Sequence, residues 1–244
     1  KNPLLVQIRR LASSRGARRS AGMFLGDGVK LLEEALKWGA PLETVVYSEG
    51  LDGPELPPEV RTVRVPEDVM ASISPMESPQ GALFLCRMWD TAPPPRLEGG
   101  RYLVLDGLQD PGNVGTIWRT ADALEADGLL LVHGCADPFG PKVVRATMGA
   151  CFRLPVWETG PERLADLLER SGLALYATAL REDTEDIKTA DLSRSAVVIG
   201  SEGRGVSPEL LAMSQRALKI PMRERCESLN AAAAAAVVLW EMGR

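Results

Sequence analysis

Between residues 102 and 242, short apolar segments alternate regularly with longer segments of helical character, and this alternation constrains the fold more than any other feature of the chain. Strands separated by helices of about 10–15 residues are typical of parallel βαβ units with helices on both faces of the sheet. We therefore expect an α/β domain built on a parallel sheet. The predicted strands are 102–105, 128–132, 174–178, 196–199 and 217–220, and the predicted helices are 114–124, 141–149, 162–171, 208–215 and 229–242.

Three consecutive prolines, followed shortly by a glycine pair, mark residues 91–100 as a linker. Proline cannot join a helix interior or a central strand, and the glycines end the stiff segment flexibly. The linker separates a first domain, residues 1–90, from a second domain, residues 101–244. The first domain is predicted to be a small α/β sandwich with a helix at 29–38 and strands at 43–47, 60–65 and 82–86.

Composition excludes several classes of protein. The chain of 244 residues is 45% hydrophobic, which is too apolar for a disordered protein, and its longest apolar run, 231–240, is shorter than the roughly 18 residues of a membrane span. No charged-then-apolar leader opens the sequence, so we expect a cytoplasmic protein with four free, buried cysteines. The only histidine, His133, ends an apolar strand-like run and is interpreted as structural, so no metal site is expected.

The charge is unevenly distributed along the chain. The net charge is −5, yet the first 25 residues carry six basic side chains and no acidic one. Such a segment can contact nucleic-acid phosphates, because neutralised phosphates release counterions. It can equally be the solvated face of an amphipathic helix, and the sequence leaves both interpretations open.

Three segments each follow a predicted strand and precede a predicted helix, at the edge where open α/β sheets bind ligands. In the first, Asn113 and Arg119 either belong to a site, or Asn113 is the N-cap of the helix and Arg119 lies on its solvated face. In the second, three glycines within six residues form either a ligand-binding turn or a plain one, and Glu202 there would repel a triphosphate but tolerate a cationic or neutral ligand. In the third, Ser228 or Asn230 can cap a helix that begins with six alanines. The segments are 106–121, 197–208 and 220–230.

In this order, the patterns N-x-G-x-x-x-R, I-G-S-E-G-x-G and I-P-M followed by S-L-N-A resemble the three motifs of the SpoU-type RNA ribose 2′-O-methyltransferases, which belong to the knotted SPOUT superfamily. The resemblance covers roughly residues 101–242, including the stretch 138–155 between the first two motifs. On residues 18–30 and 78–83 the first domain resembles the substrate-binding domain of the family, an α/β fold similar to ribosomal protein L30e. Two positions depart from the pattern: Ala232 replaces a usual serine, and residues 124–125 are Leu-Glu instead of Phe-Gly.

The resemblance implies that S-adenosylmethionine is the methyl donor, bound by backbone in a trefoil knot of the second domain, and that RNA is the acceptor. It also implies a homodimer through the second domain, in which the partner subunit completes each site. By analogy of fold, the first domain favours rRNA over tRNA. The residues implied to bind the donor are Ala179, Gly200, Gly203, Ile220, Met222, Ser228 and Leu229, and those implied to form the catalytic, acceptor side are Asn113, Arg119, Glu202 and Asn230.

Arg119 matches the arginine of the family's first motif. A guanidinium group keeps its proton at neutral pH, so we expect Arg119 to hold a phosphate and to stabilise charge on the ribose oxygen, not to act as a simple base. Two alternatives are a knotted RNA-binding protein that has lost catalysis and an ordinary doubly wound nucleotide-binding enzyme. The presence of all four catalytic-side residues disfavours the first, and the absence of both common phosphate-loop patterns disfavours the second.

Overall fold

The computed structural model describes residues 2–179, 181, 183–223, 225–226 and 228–244. The chain divides into two compact units. The first unit runs to Asp90 and also contains Asp137–Arg153, and the second contains Thr91–Ala136 and Leu154–Arg244. The division after Asp90 lies at the start of the proline-rich linker. Residues 137–153 belong to the first unit, although the domain boundaries predicted from the sequence include them in the second domain.

Helices and strands alternate along most of the chain. The elements up to the linker are α1 (Pro3–Ser13), α2 (Arg15–Ala21), β1 (Met23–Asp27), α3 (Val29–Lys37), β2 (Leu42–Ser48), β3 (Arg61–Val65), α4 (Glu67–Ile73) and β4 (Ala82–Arg87). Those after it are β5 (Arg101–Asp106), α5 (Pro111–Ala123), β6 (Gly128–Val132), α6 (Pro141–Ala146), β7 (Val156–Glu158), α7 (Pro161–Ser171), β8 (Ala174–Thr178), β9 (Glu185–Asp186), β10 (Ser195–Gly200), α8 (Pro208–Met213), β11 (Arg216–Lys219) and α9 (Ala231–Met242), with short 3-10 helices at Ala150–Phe152 and Ile187–Thr189.

The first unit is built on a four-stranded sheet in the order β1-β4-β2-β3, in which β4 is antiparallel to both neighbours and β3 is parallel to β2. The predicted helix and three predicted strands are present, with ends shifted by at most one residue. β1 was not predicted from the sequence, because all five of its residues are buried and the strand therefore lacks alternation of apolar and polar residues. Its Gly26 lies against the ring of Phe84, and a Cβ at that position would come within 2.1 Å of the ring.

Aromatic packing explains why residues 137–153 belong to the first unit. The buried ring of Phe139 lies 5.3 Å from that of Phe24 and 4.9 Å from that of Trp89, measured between ring centroids. Helix α6 also packs against β1. The sequence could not reveal this placement, because an amphipathic helix has the same pattern whichever unit it covers.

The basic N-terminal segment forms two helices. α1 buries Leu4, Ile8 and Leu11, which supports the amphipathic-helix interpretation. Arg18 is buried, donates to the carbonyl oxygen of Leu11 at 2.6 Å and pairs with Asp137 at 2.7 Å, so its role is structural. If this segment contacts phosphates, it does so through its exposed basic side chains. Lys1 lies outside the described residues.

The second unit is built on a seven-stranded sheet in the order β7-β6-β5-β10-β8-β11-β9, and every pair of neighbours is parallel. All five predicted strands are present, and only the short edge strands β7 and β9 were missed. The central strands β5, β6 and β10 are buried almost throughout, as expected for a sheet covered on both faces. The register places Asp106 beside both Val132 and Gly200, so the carboxyl ends of these three strands meet at one edge.

The described residues bear on two further expectations. Cys86, Cys135 and Cys151 are buried free thiols, but Cys226 is exposed, so the expectation that all four are buried is wrong for Cys226. Burial raises the pKa of Cys86 and Cys151 to about 12 and that of Cys135 to about 11. None of the helices described is long and apolar enough to cross a membrane.

Candidate active site

A cleft of about 290 Å³ opens at the carboxyl edge of the second sheet, where the segments after β8, β10 and β11 meet the start of α9. Of the seven residues predicted to bind the methyl donor, six line this cleft: Ala179, Gly200, Ile220, Met222, Ser228 and Leu229. Gly203 does not line it, and the neighbouring Gly205 does. Six further lining residues were not proposed from the sequence, although Ile199, Ser201 and Ala231 lie within the second and third motifs. These six are Thr178, Ile199, Ser201, Leu218, Ala231 and Ala234.

The glycine-rich segment after β10, residues 200–207, is here called the donor loop. The backbones of Ser201 and Gly205 exchange two hydrogen bonds, of 3.1 and 2.8 Å, which fold the loop back on itself. A Cβ at Gly200 would lie 2.2 Å from the carbonyl carbon of Gly205, and Gly205 itself has a positive φ of 68°. Two of the three glycines are therefore required by the loop geometry, whereas a Cβ at Gly203 would meet open space.

The chemistry of the lining fits S-adenosylmethionine, the ligand that the resemblance implies. Backbone and small or apolar side chains dominate the described lining, and its one charged side chain is Glu202. A carboxylate repels the phosphates of a nucleotide but attracts a sulfonium cation. The close backbone packing at Gly200 also leaves the cleft lined there by main chain and free of a side chain, as backbone recognition requires.

Three of the four predicted catalytic-side residues form one hydrogen-bonded cluster at the rim of this cleft. The amide nitrogen of Asn113 donates to Oε1 of Glu202 at 2.6 Å. The amide nitrogen of Asn230 lies 2.9 Å from the same oxygen and 3.2 Å from Oδ1 of Asn113. We call these three residues the carboxamide–carboxylate cluster. Its residues come from α5, the donor loop and the start of α9, which are far apart in the sequence.

Helix capping determines how two side chains of this cluster are oriented. Asp110 caps α5 by accepting from the backbone N–H of Asn113 at 2.7 Å, so the interpretation of Asn113 as the cap is wrong and its side chain is available to Glu202. Asn230 does cap α9, accepting from the N–H groups of Ala232 and Ala233 at 2.9 and 3.3 Å. The amide oxygen of Asn230 thus satisfies the helix, and its nitrogen is directed to the carboxylate.

The fold of the chain does not bring Arg119 into this cluster. Six residues separate it from Asn113 on α5, which places the two side chains roughly 120° apart around the helix axis. Arg119 is exposed, and no hydrogen bond or ion pair joins it to any residue that the structure describes. The spacing of the motif shows that Asn113 and Arg119 lie close together on one helix, but it does not show that their side chains point in different directions.

The same sheet edge holds a pair whose importance the sequence did not indicate. Nδ1 of His133, directly after β6, lies 2.7 Å from Oδ1 of Asp106 at the end of β5. Within the described ranges, no group of three or more histidine, cysteine, aspartate or glutamate side chains is arranged to hold a metal ion. The His133–Asp106 pair is a polar contact at the sheet edge.

Both parts of the chain are similar to known proteins. The sequence matches the SpoU rRNA Methylase family over residues 100–240 and the MRM3-like substrate binding domain over residues 2–83. RlmP of Bacillus subtilis, a 23S rRNA (guanosine(2553)-2′-O)-methyltransferase, is 34% identical over 227 residues, covering 92% of this chain and 90% of RlmP.

Two solved structures are similar along almost the whole chain. An AdoMet-bound rRNA methyltransferase from Sinorhizobium meliloti is 31% identical with a TM-score of 0.86, covering 99% of this chain and 94% of the other. The SpoU methyltransferase AviRb from Streptomyces viridochromogenes, in complex with AdoMet, is 29% identical with a TM-score of 0.88, covering 99% and 98%. The α/β fold with its parallel-sheet second unit and the family resemblance are thereby confirmed, and this chain belongs to the SpoU rRNA methylase family.

Proposed function

We propose that this chain transfers the methyl group of S-adenosylmethionine to a ribose 2′-hydroxyl in ribosomal RNA. The observation that carries the proposal is the carboxamide–carboxylate cluster at the rim of the donor cleft, where Asn113 and Asn230 direct Glu202. Relatives named as rRNA 2′-O-methyltransferases and AdoMet-bound structural neighbours support it.

The residues proposed to hold S-adenosylmethionine are the six predicted ones that line the cleft, Ala179, Gly200, Ile220, Met222, Ser228 and Leu229. When bound, S-adenosylmethionine supplies a methyl carbon that is activated by a neighbouring sulfonium. The carboxylate of Glu202 stabilises positive charge in the cleft, and two amide donors hold that carboxylate in place before any ligand arrives. The donor loop and the caps of α5 and α9 thus preorganise the site.

On the acceptor side, the cluster positions the ribose hydroxyl through hydrogen bonds. Holding the hydroxyl oxygen about 3–3.5 Å from the methyl carbon supplies much of the rate acceleration. The guanidinium of Arg119 holds the adjacent phosphate and stabilises negative charge that develops on the ribose oxygen. Because this guanidinium keeps its own proton, the hydroxyl proton passes to an oxygen of phosphate or of water.

The exposed position of Arg119 supports assembly as a homodimer, in which Arg119 completes the site of the partner subunit. The second unit offers a suitable surface, since Trp240 on α9 is 64% exposed and lies two helical turns from the exposed Ala233. Small side chains on such a helix allow a second backbone to approach closely. The resemblance further supports a trefoil knot around the donor site, and the free thiols support action in the reducing cytoplasm.

Ribosomal RNA is proposed over tRNA because residues 2–83 match the substrate binding domain of MRM3-like proteins. Labelled S-adenosylmethionine, incubated with the chain and either unmethylated rRNA or tRNA, tests both the acceptor and the reaction. We expect label in rRNA, recovered after digestion as a 2′-O-methylated nucleoside. Label only in tRNA would reverse the choice of acceptor, and label on a base or no transfer would contradict the proposed reaction.

A further inference from the structure

Beside the donor cleft, on the other side of the donor loop, a second cleft of about 450 Å³ contains a histidine held between two carboxylates. His133 Nδ1 lies 2.7 Å from Oδ1 of Asp106, and its Nε2 lies 3.2 Å from Oε2 of Glu209 on α8. An ionised carboxylate only accepts hydrogen bonds, so both ring nitrogens must carry a proton for both contacts to form. The geometry therefore selects the protonated imidazolium.

Asp106 connects this histidine to the donor loop. Its carboxylate is buried, with Oδ1 facing His133 and Oδ2 accepting from the backbone N–H of Ser207 at 2.6 Å. Ser207 ends the donor loop and caps α8 through its side chain. The loop thus carries Glu202 and is hydrogen-bonded through Ser207 to Asp106, which in turn contacts His133.

The backbone at His133 is also in a costly conformation. His133 has a positive φ of 56° and is followed by Gly134 with a φ of 73°. A residue other than glycine persists in the left-handed region only where its surroundings hold it there. The two carboxylate contacts provide such a constraint and fix the ring across the end of β6.

We propose that His133 is a positioning residue whose protonated ring, held by Asp106 and Glu209, keeps the donor loop in the shape that binds the methyl donor. This inference rests on the proposed function, since it assigns a task to His133 at the same donor site. Proton binding at His133 and donor binding are then linked, and each strengthens the other.

The charged groups around His133 determine the direction of the effect. Asp106 faces the ring from β5, Glu209 from α8, and Arg204 of the donor loop lines the same cleft. The thiol of Cys135 is close to Asp106 and donates to the carbonyl oxygen of Leu105 at 3.1 Å; its raised pKa of about 11 keeps it neutral. The hydrogen bond to Asp106 is the main cause that raises the pKa of His133, against the lowering effect of burial.

The sign of the pH dependence follows from this shift. Since the pKa of His133 is raised on folding, its stabilisation is complete below the ordinary value of about 6.5 and is lost as the pH rises through the folded value. The loop is thus held at low pH and loosened at high pH. Affinity for the donor, measured without RNA, should weaken in the same direction.

Because His133 is the only histidine, NMR of the ring in the untagged chain reports its titration without ambiguity. We expect a saturating amount of S-adenosylhomocysteine, the unreactive product of the donor, to raise the pKa of His133. Calorimetry should show the affinity for this probe falling about fivefold or more between about pH 6 and about pH 9. His133→Asn should remove most of that fall, because asparagine tolerates the left-handed backbone but does not titrate.

Glu209→Gln provides a graded test with a matched control. Removing this partner should lower the pKa of His133 and shift the fall in affinity to lower pH. Glu162→Gln alters a glutamate at the same position of α7, directly after its first proline, and should leave both values unchanged. An unchanged or lowered His133 pKa with the probe bound, or the same pH dependence in His133→Asn, would overturn the positioning role while leaving the proposed function intact. Complete absence of probe binding would overturn both.

Discussion

The side-chain nitrogen of Asn230 lies 2.9 Å from Oε1 of Glu202, while the side-chain oxygen of the same residue caps α9. One amide thus fixes the first turn of a helix and the direction of a carboxylate. Substituting Asn230 by serine or by alanine separates these two roles, because serine can still cap the helix and alanine cannot. Asn230→Ala should lower the free energy of unfolding by about 1 kcal/mol, whereas Asn230→Ser keeps a cap and should stay within about 0.5 kcal/mol of wild type.

Both Asn230 variants should lose methyl transfer on the order of tenfold or more, the value of one hydrogen bond to a charged group. Chemical denaturation and single-turnover transfer measure the two effects separately. If Asn230→Ser is as active as wild type, the contact with Glu202 has no catalytic value and the residue is only a cap.

Glu202→Gln should reduce the single-turnover rate about a hundredfold or more, because it removes the charge that the two amides hold in place. The amide groups of Asn113 and Asn230 would then face a partly donating side chain. Melting temperature should change little, since Glu202 is exposed. Glu162→Gln on α7 serves as the surface control. A rate within a factor of two of wild type, in protein of normal stability, would remove Glu202 from the site.

Arg119→Ala should reduce the rate of methyl transfer about a hundredfold or more, while donor affinity and the free energy of unfolding stay close to those of wild type. Arg119→Lys should be nearly as inactive, because lysine keeps the charge but lacks the planar fork that grips two oxygens. Arg170→Ala, at an exposed position of α7, is the control. Normal turnover in both Arg119 variants would assign this arginine to the solvated surface.

Trp240→Glu should convert a dimer into a monomer, since it places a charge on the exposed apolar side of α9. Light scattering at micromolar concentration measures the mass, and transfer should fall together with it. Trp38→Glu is a matched control, because Trp38 is a 50% exposed tryptophan of the first unit, whereas the proposed interface lies on α9 of the second unit. A wild-type chain that is monomeric and fully active would contradict the dimer proposal.

Arg18→Ala should lower the free energy of unfolding by about 3 kcal/mol or more, because it strips Asp137 of a buried partner at 2.7 Å. Arg10→Ala, on the exposed last turn of α1, should cost about 0.5 kcal/mol or less. Urea denaturation of the two variants provides the comparison. Equal costs would mean that the pair with Asp137 contributes nothing beyond a surface contact.

The alternation of strands and helices predicted the parallel sheet, because both kinds of element have local signatures. The family motifs led to seven proposed donor residues, of which six line the cleft. β1, β7 and β9 were not predicted, because a fully buried or very short strand lacks a recognisable alternation of apolar and polar residues. Asp110, and not Asn113, caps α5 because the helix begins at Pro111. The sequence defines the first residue of a helix only to within a few residues, so the cap was assigned to the wrong side chain. The contacts of Asp106 with His133 and Ser207 connect strand ends that only the folded register brings together.

The chain passes between the two units three times, after Asp90, after Ala136 and after Arg153. A protease that cuts within the proline-rich linker therefore severs one connection and leaves two intact. Expressed from residue 100 onward, the second half would still carry Phe139, deprived of the rings of Phe24 and Trp89 that cover it. Such a fragment would expose an aromatic surface and tend to aggregate, so a soluble catalytic fragment requires residues 137–153 to be replaced by a short polar bridge.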